Sequence, residues 1–158
     1  MSQDARLKTL LVDAEKSEVE ATRERLRIER VVDEREAMVS VLEEKKRSLE
    51  GKQDLLGQKI RAEALPAGDA SSLRSLTSYQ QRLRRELEAL EEEIARKIKE
   101  LERAREYDKR ATTEEIEARV ERKKIEKLID AKEQKKRISE VARDESAGDE
   151  LSQVLKKE

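Results

Sequence analysis

The 158-residue sequence contains no cysteine, histidine, tryptophan or phenylalanine, and only two tyrosines. Without cysteine no disulfide can form, so cysteine usage says nothing about the redox compartment. The missing His and Cys also remove imidazole bases, thiol nucleophiles and the usual zinc ligand sets. Carboxylates are abundant, but a catalytic carboxylate needs a concave, partly dry site to shift its pKa. We therefore expect a protein that is not an enzyme and that uses no metal or cofactor.

Long apolar runs are also missing from this sequence. The first residues carry an acid and a base, Asp4 and Arg6, and no apolar stretch has the length of a signal-peptide core or a membrane span. We expect a cytoplasmic chain with no direct insertion into a membrane, unless it is exported without a classical signal. Proline occurs once, at Pro66, and therefore punctuates the chain at a single place.

What the sequence does contain is a seven-residue apolar repeat on both sides of Pro66. Charged residues make up 47% of the chain and hydrophobic residues 35%, a composition typical of long helices and coiled coils. Disorder is the competing interpretation of so much charge, but disorder does not require apolar residues in register. The first row, interrupted by Arg35, consists of Leu7, Ala14, Ala21, Ile28, Leu42, Leu49 and Leu56. The second row, interrupted by Lys97, consists of Leu76, Leu83, Leu90, Ala104, Ala111, Ala118 and Ile125. A further row runs beside it at Leu73, Leu87, Ile94 and Leu101.

The repeat predicts an all-α fold in which two long helices form an antiparallel coiled-coil hairpin. A heptad keeps one stripe of each helix facing its partner, and a short connection forces neighbouring helices to be antiparallel. We predict helix 1 over about residues 4–64 and a turn over 65–72. Helix 2 is predicted over about 73–143, followed by an acidic tail over 144–158. In this tail Asp144 to Asp149, with Gly148, indicates a helix stop or fray. The whole chain is then a single hairpin, expected to be a monomer when alone.

Charge is balanced overall, with 37 basic and 38 acidic residues, but it is distributed unevenly. Residues 119–137 hold a block of Lys and Arg, whereas the residues after Ile138 are mainly acidic. A basic block suggests a nucleic acid or another anionic surface as partner. We favour a solvated helix face, because no aromatic residues interleave the block to stack on bases. Nucleic acid is therefore not the partner that we expect.

Several segments, taken in order along the chain, resemble the FliJ/YscO family. Leu7–Leu11 opens the first helix, and Ser78-Tyr79-Gln80-Gln81 opens the second after the Pro/Gly break. The second helix then carries Leu101-Glu102-Arg103-Ala104-Arg105 and the basic Glu121-Arg122-Lys123-Lys124-Ile125-Glu126-Lys127-Leu128. An acidic Asp144-Glu145 and Asp149-Glu150-Leu151-Ser152-Gln153 close the sequence. This family contributes the small stalk component of type III export systems in bacterial flagella and injectisomes.

The resemblance implies a central stalk that docks in a hexameric export ATPase and promotes its assembly and activity. It further implies contacts with the cytoplasmic domain of the membrane export gate and with substrate chaperones, which places the protein at the periphery of the export apparatus. The implied ATPase-binding residues are Leu7, Leu10, Leu11, Arg122, Lys123, Lys127 and Arg137. The implied export-gate-binding residues are Tyr79, Leu83, Leu87 and Leu90. Arg82 departs from the family pattern, which often has an aromatic or apolar residue after Tyr-Gln-Gln.

A different kind of coiled-coil protein remains as the alternative. A self-associating scaffold or chaperone-like adaptor would use the same long stripe, and polar interruptions such as Arg35 and Lys97 would fix its register. The apolar residues Leu151, Val154 and Leu155 allow either a short terminal recognition helix or part of a binding tail.

Overall fold

The computed structural model describes residues 2–64 and 70–156, although the side chain of residue 64 is outside the description. It confirms the predicted all-α helical hairpin, with two helices and no strand among these residues. Helix α1 spans Gln3–Ala64 and helix α2 spans Ala70–Lys156. Residues 65–69 of the predicted turn, including Pro66, lie outside the described residues.

Ser2 caps the start of α1. The hydroxyl oxygen of Ser2 accepts a hydrogen bond from the backbone N–H of Ala5 at 3.2 Å, which satisfies one of the free donors of the first turn. Asp4 adds a carboxylate to that turn, where the helix dipole favours negative charge. Gly51 and Gly57 lie within α1, since neither is followed by a second helix-breaking signal.

Helix α2 is longer at both ends than the sequence indicated. It begins at Ala70 rather than about residue 73, and it continues through the predicted acidic tail to Lys156. Gly148 does not stop it, because a lone glycine costs only about 1 kcal/mol relative to alanine and no proline follows. The backbone at Gly148 stays out of the left-handed conformation that terminates many helices.

The chain divides into two compact units. The terminal unit comprises Met1–Arg25 with Ala111–Glu158, and the middle unit comprises Leu26–Arg110. In the middle unit, Val32 and Val39 from α1 form a buried cluster with Leu101 and Ala104 from α2. Glu36 of α1 and Arg105 of α2 form an ion pair at 3.0 Å, as expected when the two helices run antiparallel.

The two predicted polar interruptions of the heptad rows, Arg35 and Lys97, both reach Glu100 in the middle unit. Arg35 Nη1 donates to the backbone carbonyl of Glu100 at 3.0 Å, and Lys97 Nζ lies 3.4 Å from Glu100 Oε2. The seam is the line of side chains along which the two helices pack against each other. It tolerates long basic side chains when their polar ends find acceptors at its edge. The polar ends of Arg35 and Lys97 therefore have acceptors, although both residues lie at seam positions.

Candidate docking surface

In the terminal unit, charged residues join the two helices at seam positions where a simple coiled coil has apolar residues. Arg25 pairs with Glu115, and Glu18 pairs with Arg122. Glu115 is only 7% exposed, and it also accepts from Arg119 Nη2 at 3.0 Å. Arg119 Nε lies 3.6 Å from Glu18, and Arg122 Nη1 donates to Glu126 at 2.8 Å. We call Glu18, Arg25, Glu115, Arg119 and Arg122 the seam cluster.

The seam cluster specifies how α1 and α2 are aligned in the terminal unit. Moving seven residues along α1, from Glu18 to Arg25, corresponds to moving seven residues back along α2, from Arg122 to Glu115. A slip of seven residues in one direction would oppose Glu18 with Glu115. The same slip in the other direction would oppose Arg25 with Arg122. Since burying like charges together is costly, both slipped alignments are disfavoured.

A second charged contact holds the first turn of α1. Asp4 accepts from Lys136 Nζ at 2.7 Å and from Lys132 Nζ at 3.3 Å. These hydrogen bonds, that of Lys136 first, lower the pKa of the Asp4 carboxyl below its ordinary 3.8. The bond to Asp4 in turn raises the pKa of Lys136 above 10.5. Both groups are charged at neutral pH, so the contact persists there.

The ATPase-binding residues implied by the resemblance differ in exposure. Leu10 is exposed, whereas Leu7 and Leu11 are half-buried, and Leu7 lines a cavity of about 80 Å³ together with Ile129. Arg122 is committed to the seam cluster, where its hydrogen bonds to Glu18 and Glu126 raise its pKa. The remaining three predicted residues, Lys123, Lys127 and Arg137, are exposed.

Exposed residues of the terminal unit form a basic and apolar surface on α2. Ile116, Val120, Lys123, Lys124 and Lys127 lie on the side of the helix opposite the buried Ala111, Glu115 and Ile125. Their spacing of three and four residues keeps them on one helical face. We call these five residues the basic outer surface. The sequence signal that identifies it is the set of apolar residues outside the heptad rows.

The predicted gate-binding residues lie in the middle unit and are mostly buried. Leu83, Leu87 and Leu90 are between 3% and 7% exposed, because they occupy the heptad rows that form the seam. They are closed to a partner while the two helices remain packed. Tyr79 is 42% exposed, and the guanidinium of Arg82 lies 5.7 Å from its ring centroid. Tyr79 with Arg82 is therefore the accessible part of this predicted contact.

Neither a metal-ligating cluster nor a membrane span occurs among the described residues. No group of three or more His, Cys, Asp or Glu side chains among them is arranged to hold a metal ion. Neither helix, over its described length, contains an apolar stretch long enough to cross a bilayer.

Comparison of the chain with models of known protein families, with curated proteins and with solved structures gave no match.

Proposed function

We propose that this chain is a non-enzymatic stalk and adaptor of a type III protein export apparatus, docking in a hexameric export ATPase. The proposal takes its class of partner from the resemblance to the FliJ/YscO family. The observation that supports it is the terminal unit, in which two antiparallel segments held by charge pairs carry the basic outer surface. Such a surface suits the acidic wall of a pore in a partner protein.

Electrostatics gives the docking step its physical basis. Lys123, Lys124 and Lys127 are exposed and make no ion pair with any described residue of the chain. Exposed charges of one sign steer a complementary partner and raise its association rate, and added salt screens them. Ile116 and Val120 beside them supply apolar area that is buried when the partner binds.

The link to the export gate is assigned to Tyr79 and Arg82 in the middle unit. Tyrosine and arginine dominate many protein interfaces, because both bury a large area while keeping a polar end. The proposal thus uses different units for the two partners, the ATPase and the cytoplasmic domain of the gate. Substrate chaperones are a third class of partner, taken from the family resemblance alone.

The proposal is tested by titrating the cognate export ATPase with this protein and measuring both ATP hydrolysis and hexamer formation. The wild type is expected to stimulate both. Lys123→Glu combined with Lys127→Glu reverses two charges of the basic outer surface and is expected to abolish stimulation. Lys45→Glu combined with Lys52→Glu makes the same charge change at exposed positions of the middle unit and serves as the control.

Two results would contradict the proposal. If the wild-type protein leaves both the rate and the assembly state unchanged, the chain is not a stalk of that ATPase. If the Lys45 and Lys52 control abolishes stimulation as fully as the test variant, the loss is not specific to the terminal unit and does not report docking there. The self-associating scaffold would then be the function to pursue.

A further inference from the structure

The side of α2 that packs against α1 changes from mainly apolar to polar residues after Ile129. The α2 side of the seam has two rows, one through Ala118 and Ile125 and one through Arg122 and Ile129. Their next positions, Lys132 and Lys136, are polar and contact Asp4. Continuing at heptad spacing, these rows hold Ser139, Arg143, Ser146, Glu150 and Gln153. A helix that continued the same coiled coil would require apolar residues at these places. The α1-facing side of α2 is therefore not built for further pairing in residues 137–156, which we call the distal segment.

The distal segment carries apolar residues on a different side of the helix. Ile138, Val141, Leu151 and Leu155 are between 55% and 70% exposed. Val141 and Leu155 lie 21 and 35 residues after Val120, which are whole numbers of heptads, so all three share one row when α2 supercoils around a partner. The apolar residues of the distal segment thus extend the face of α2 that carries the basic outer surface. An exposed apolar face of this kind indicates an interaction site.

The first half of this face is net basic, although it includes Glu117 and Asp130, and the second half is net acidic, although it includes Arg137. The first half contains Lys123 and Lys124, and the second half contains Asp144 and Glu145 between the apolar residues. All four side chains are exposed, and none makes an ion pair with another described residue of the chain. A helix face that is basic at one end and acidic at the other is complementary to its own reversed copy.

We propose that a second copy of this chain packs antiparallel on this face of α2, with a two-fold axis at Gln134. A two-fold interface is self-complementary, so every contact between the copies occurs twice. With the axis at Gln134, Lys123 of one copy lies beside Asp144 of the other, and Lys124 lies beside Glu145. Asp130 likewise meets Arg137, which gives three kinds of opposite-charge pair.

Two kinds of apolar pair form in the same alignment, whereas Val141 lies beside Lys127 of the other copy and Leu155 beside Thr113. Ile116 of one copy lies beside Leu151 of the other, and Ala131 lies beside Ile138. Val120 faces Gly148, where an added Cβ would meet no atom of its own chain within 4 Å. A glycine at this place lets the two helix backbones approach closely.

No alignment shifted by seven residues pairs opposite charges as well as this one does. Shifting one copy by seven residues in one direction places Asp130 beside Asp144 and brings the two Arg137 side chains together. Shifting it the other way places Lys123 beside Arg137 and Glu117 beside Glu145. Like charges in these positions repel, so charge selects the alignment centred on Gln134.

The dimer is expected to be weak and sensitive to salt. Each copy contributes one helix face with few large apolar residues, which corresponds to the small, transient class of interface. The ion pairs are exposed and therefore screened by added salt. We expect the monomer at low protein concentration and the dimer at about 100 µM or above in low salt.

The test is analytical ultracentrifugation of the full chain at several protein concentrations and at low salt. The wild type is expected to show a monomer–dimer equilibrium. Lys123→Glu and Asp144→Lys should each weaken dimerisation by about fivefold or more, since each disrupts two symmetry-related exposed pairs. Combining the two substitutions restores opposite charges and should recover most of the wild-type affinity. Lys45→Glu is the control and should leave the equilibrium unchanged.

The antiparallel arrangement has its own test, which uses the absence of native cysteine. Gln134→Cys is expected to form a disulfide between copies on mild oxidation, because the two positions meet at the axis. Gly148→Cys is expected to form none, since its two copies lie far apart on either side of the axis. Equal cross-linking at both positions would instead indicate a parallel dimer and overturn the proposal.

Two further outcomes would also overturn the proposal. A wild-type chain that stays monomeric at all concentrations has no such interface. A double variant that dimerises no better than either single variant does not pair Lys123 with Asp144. The dimer itself does not depend on the proposed function, because it is measured with this protein alone.

One consequence does rest on the proposed function. The dimer covers Lys123 and Lys127, which are assigned to ATPase docking, so self-association and docking exclude each other. Asp144→Lys weakens the dimer by about fivefold or more and leaves both lysines in place. It is expected to stimulate the export ATPase at least as well as the wild type at high protein concentration. Loss of stimulation in this variant would contradict the competition while leaving the dimer measurement intact.

Discussion

Arg25 provides the sharpest test of the seam cluster. Its partner Glu115 is 7% exposed and has two guanidinium contacts, from Arg25 and from Arg119 at 3.0 Å. Arg25→Ala removes one of them and leaves a buried carboxylate with a single charged partner. Losing a hydrogen bond to a charged group costs about 1.5–3 kcal/mol. We expect about 2 kcal/mol of lost stability, below the cost of a fully unpaired buried charge, because Arg119 remains.

The assay for Arg25→Ala is urea unfolding followed by circular dichroism at 222 nm. A loss of about 2 kcal/mol changes the unfolding equilibrium constant about thirtyfold and lowers the urea midpoint at unchanged slope. The matched control is Arg105→Ala, which breaks an ion pair with Glu36 whose side chains are 53% and 47% exposed. Exposed pairs contribute about 0.2–1 kcal/mol, so the control should lose less.

The double variant Arg25→Ala with Glu115→Ala completes the thermodynamic cycle. Removing both partners leaves no buried charge without its pair, so the double variant should lose less than the sum of the two single losses. The reasoning is refuted if Arg25→Ala costs no more than Arg105→Ala. It is also refuted if the two single losses simply add.

Three other predictions concern the rest of the chain. Asp4→Asn should lower the melting temperature at pH 7, and its difference from wild type should shrink as pH falls below 3.8. The reason is that a carboxylate with a lowered pKa stabilises the folded state only while it is ionised. Gly51→Ala should raise the free energy of unfolding by about 0.5–1 kcal/mol in urea, since the added Cβ meets nothing within 4 Å. Leu101→Ala should lower it by about 2–3 kcal/mol, because this 6% exposed side chain belongs to the buried cluster of the middle unit.

The sequence predicted the hairpin because its apolar spacing carries most of the information about a coiled coil. Residues such as Leu83 and Leu90 are buried where the heptad places them. The same spacing buries Leu83, Leu87 and Leu90 between the helices, which conflicts with assigning them to the binding of a partner. A residue cannot fill the seam and stay open to a second protein.

The seam cluster was missed because a search for apolar rows passes over charged positions. Glu18, Arg25, Glu115 and Arg122 continue the rows beside the apolar residues, but they match only when the two helices are aligned in opposite directions. Reading the signs of the charges in that alignment would have identified them. It would also have assigned Arg122 to the interior of the terminal unit.

The end of α2 was mispredicted for a different physical reason. Clustered acids and Gly148 are signals of a helix end, but each is weak alone, and the surrounding Ala, Glu and Leu residues favour helix. The apolar residues of the distal segment form one surface only when the segment is helical, because the helix brings Val141 and Leu155 onto one face. The sequence therefore indicated an interaction site there without its geometry.

The central claim is that the terminal unit docks in the export ATPase, and site-specific photo-cross-linking tests it most directly. A photoreactive amino acid is placed at Lys127 in the terminal unit or, as the control, at Lys45 in the middle unit. Each protein is then irradiated with the assembled ATPase. The account predicts a cross-link to the ATPase from position 127 and none from position 45. A cross-link from position 45 with none from position 127 would contradict it.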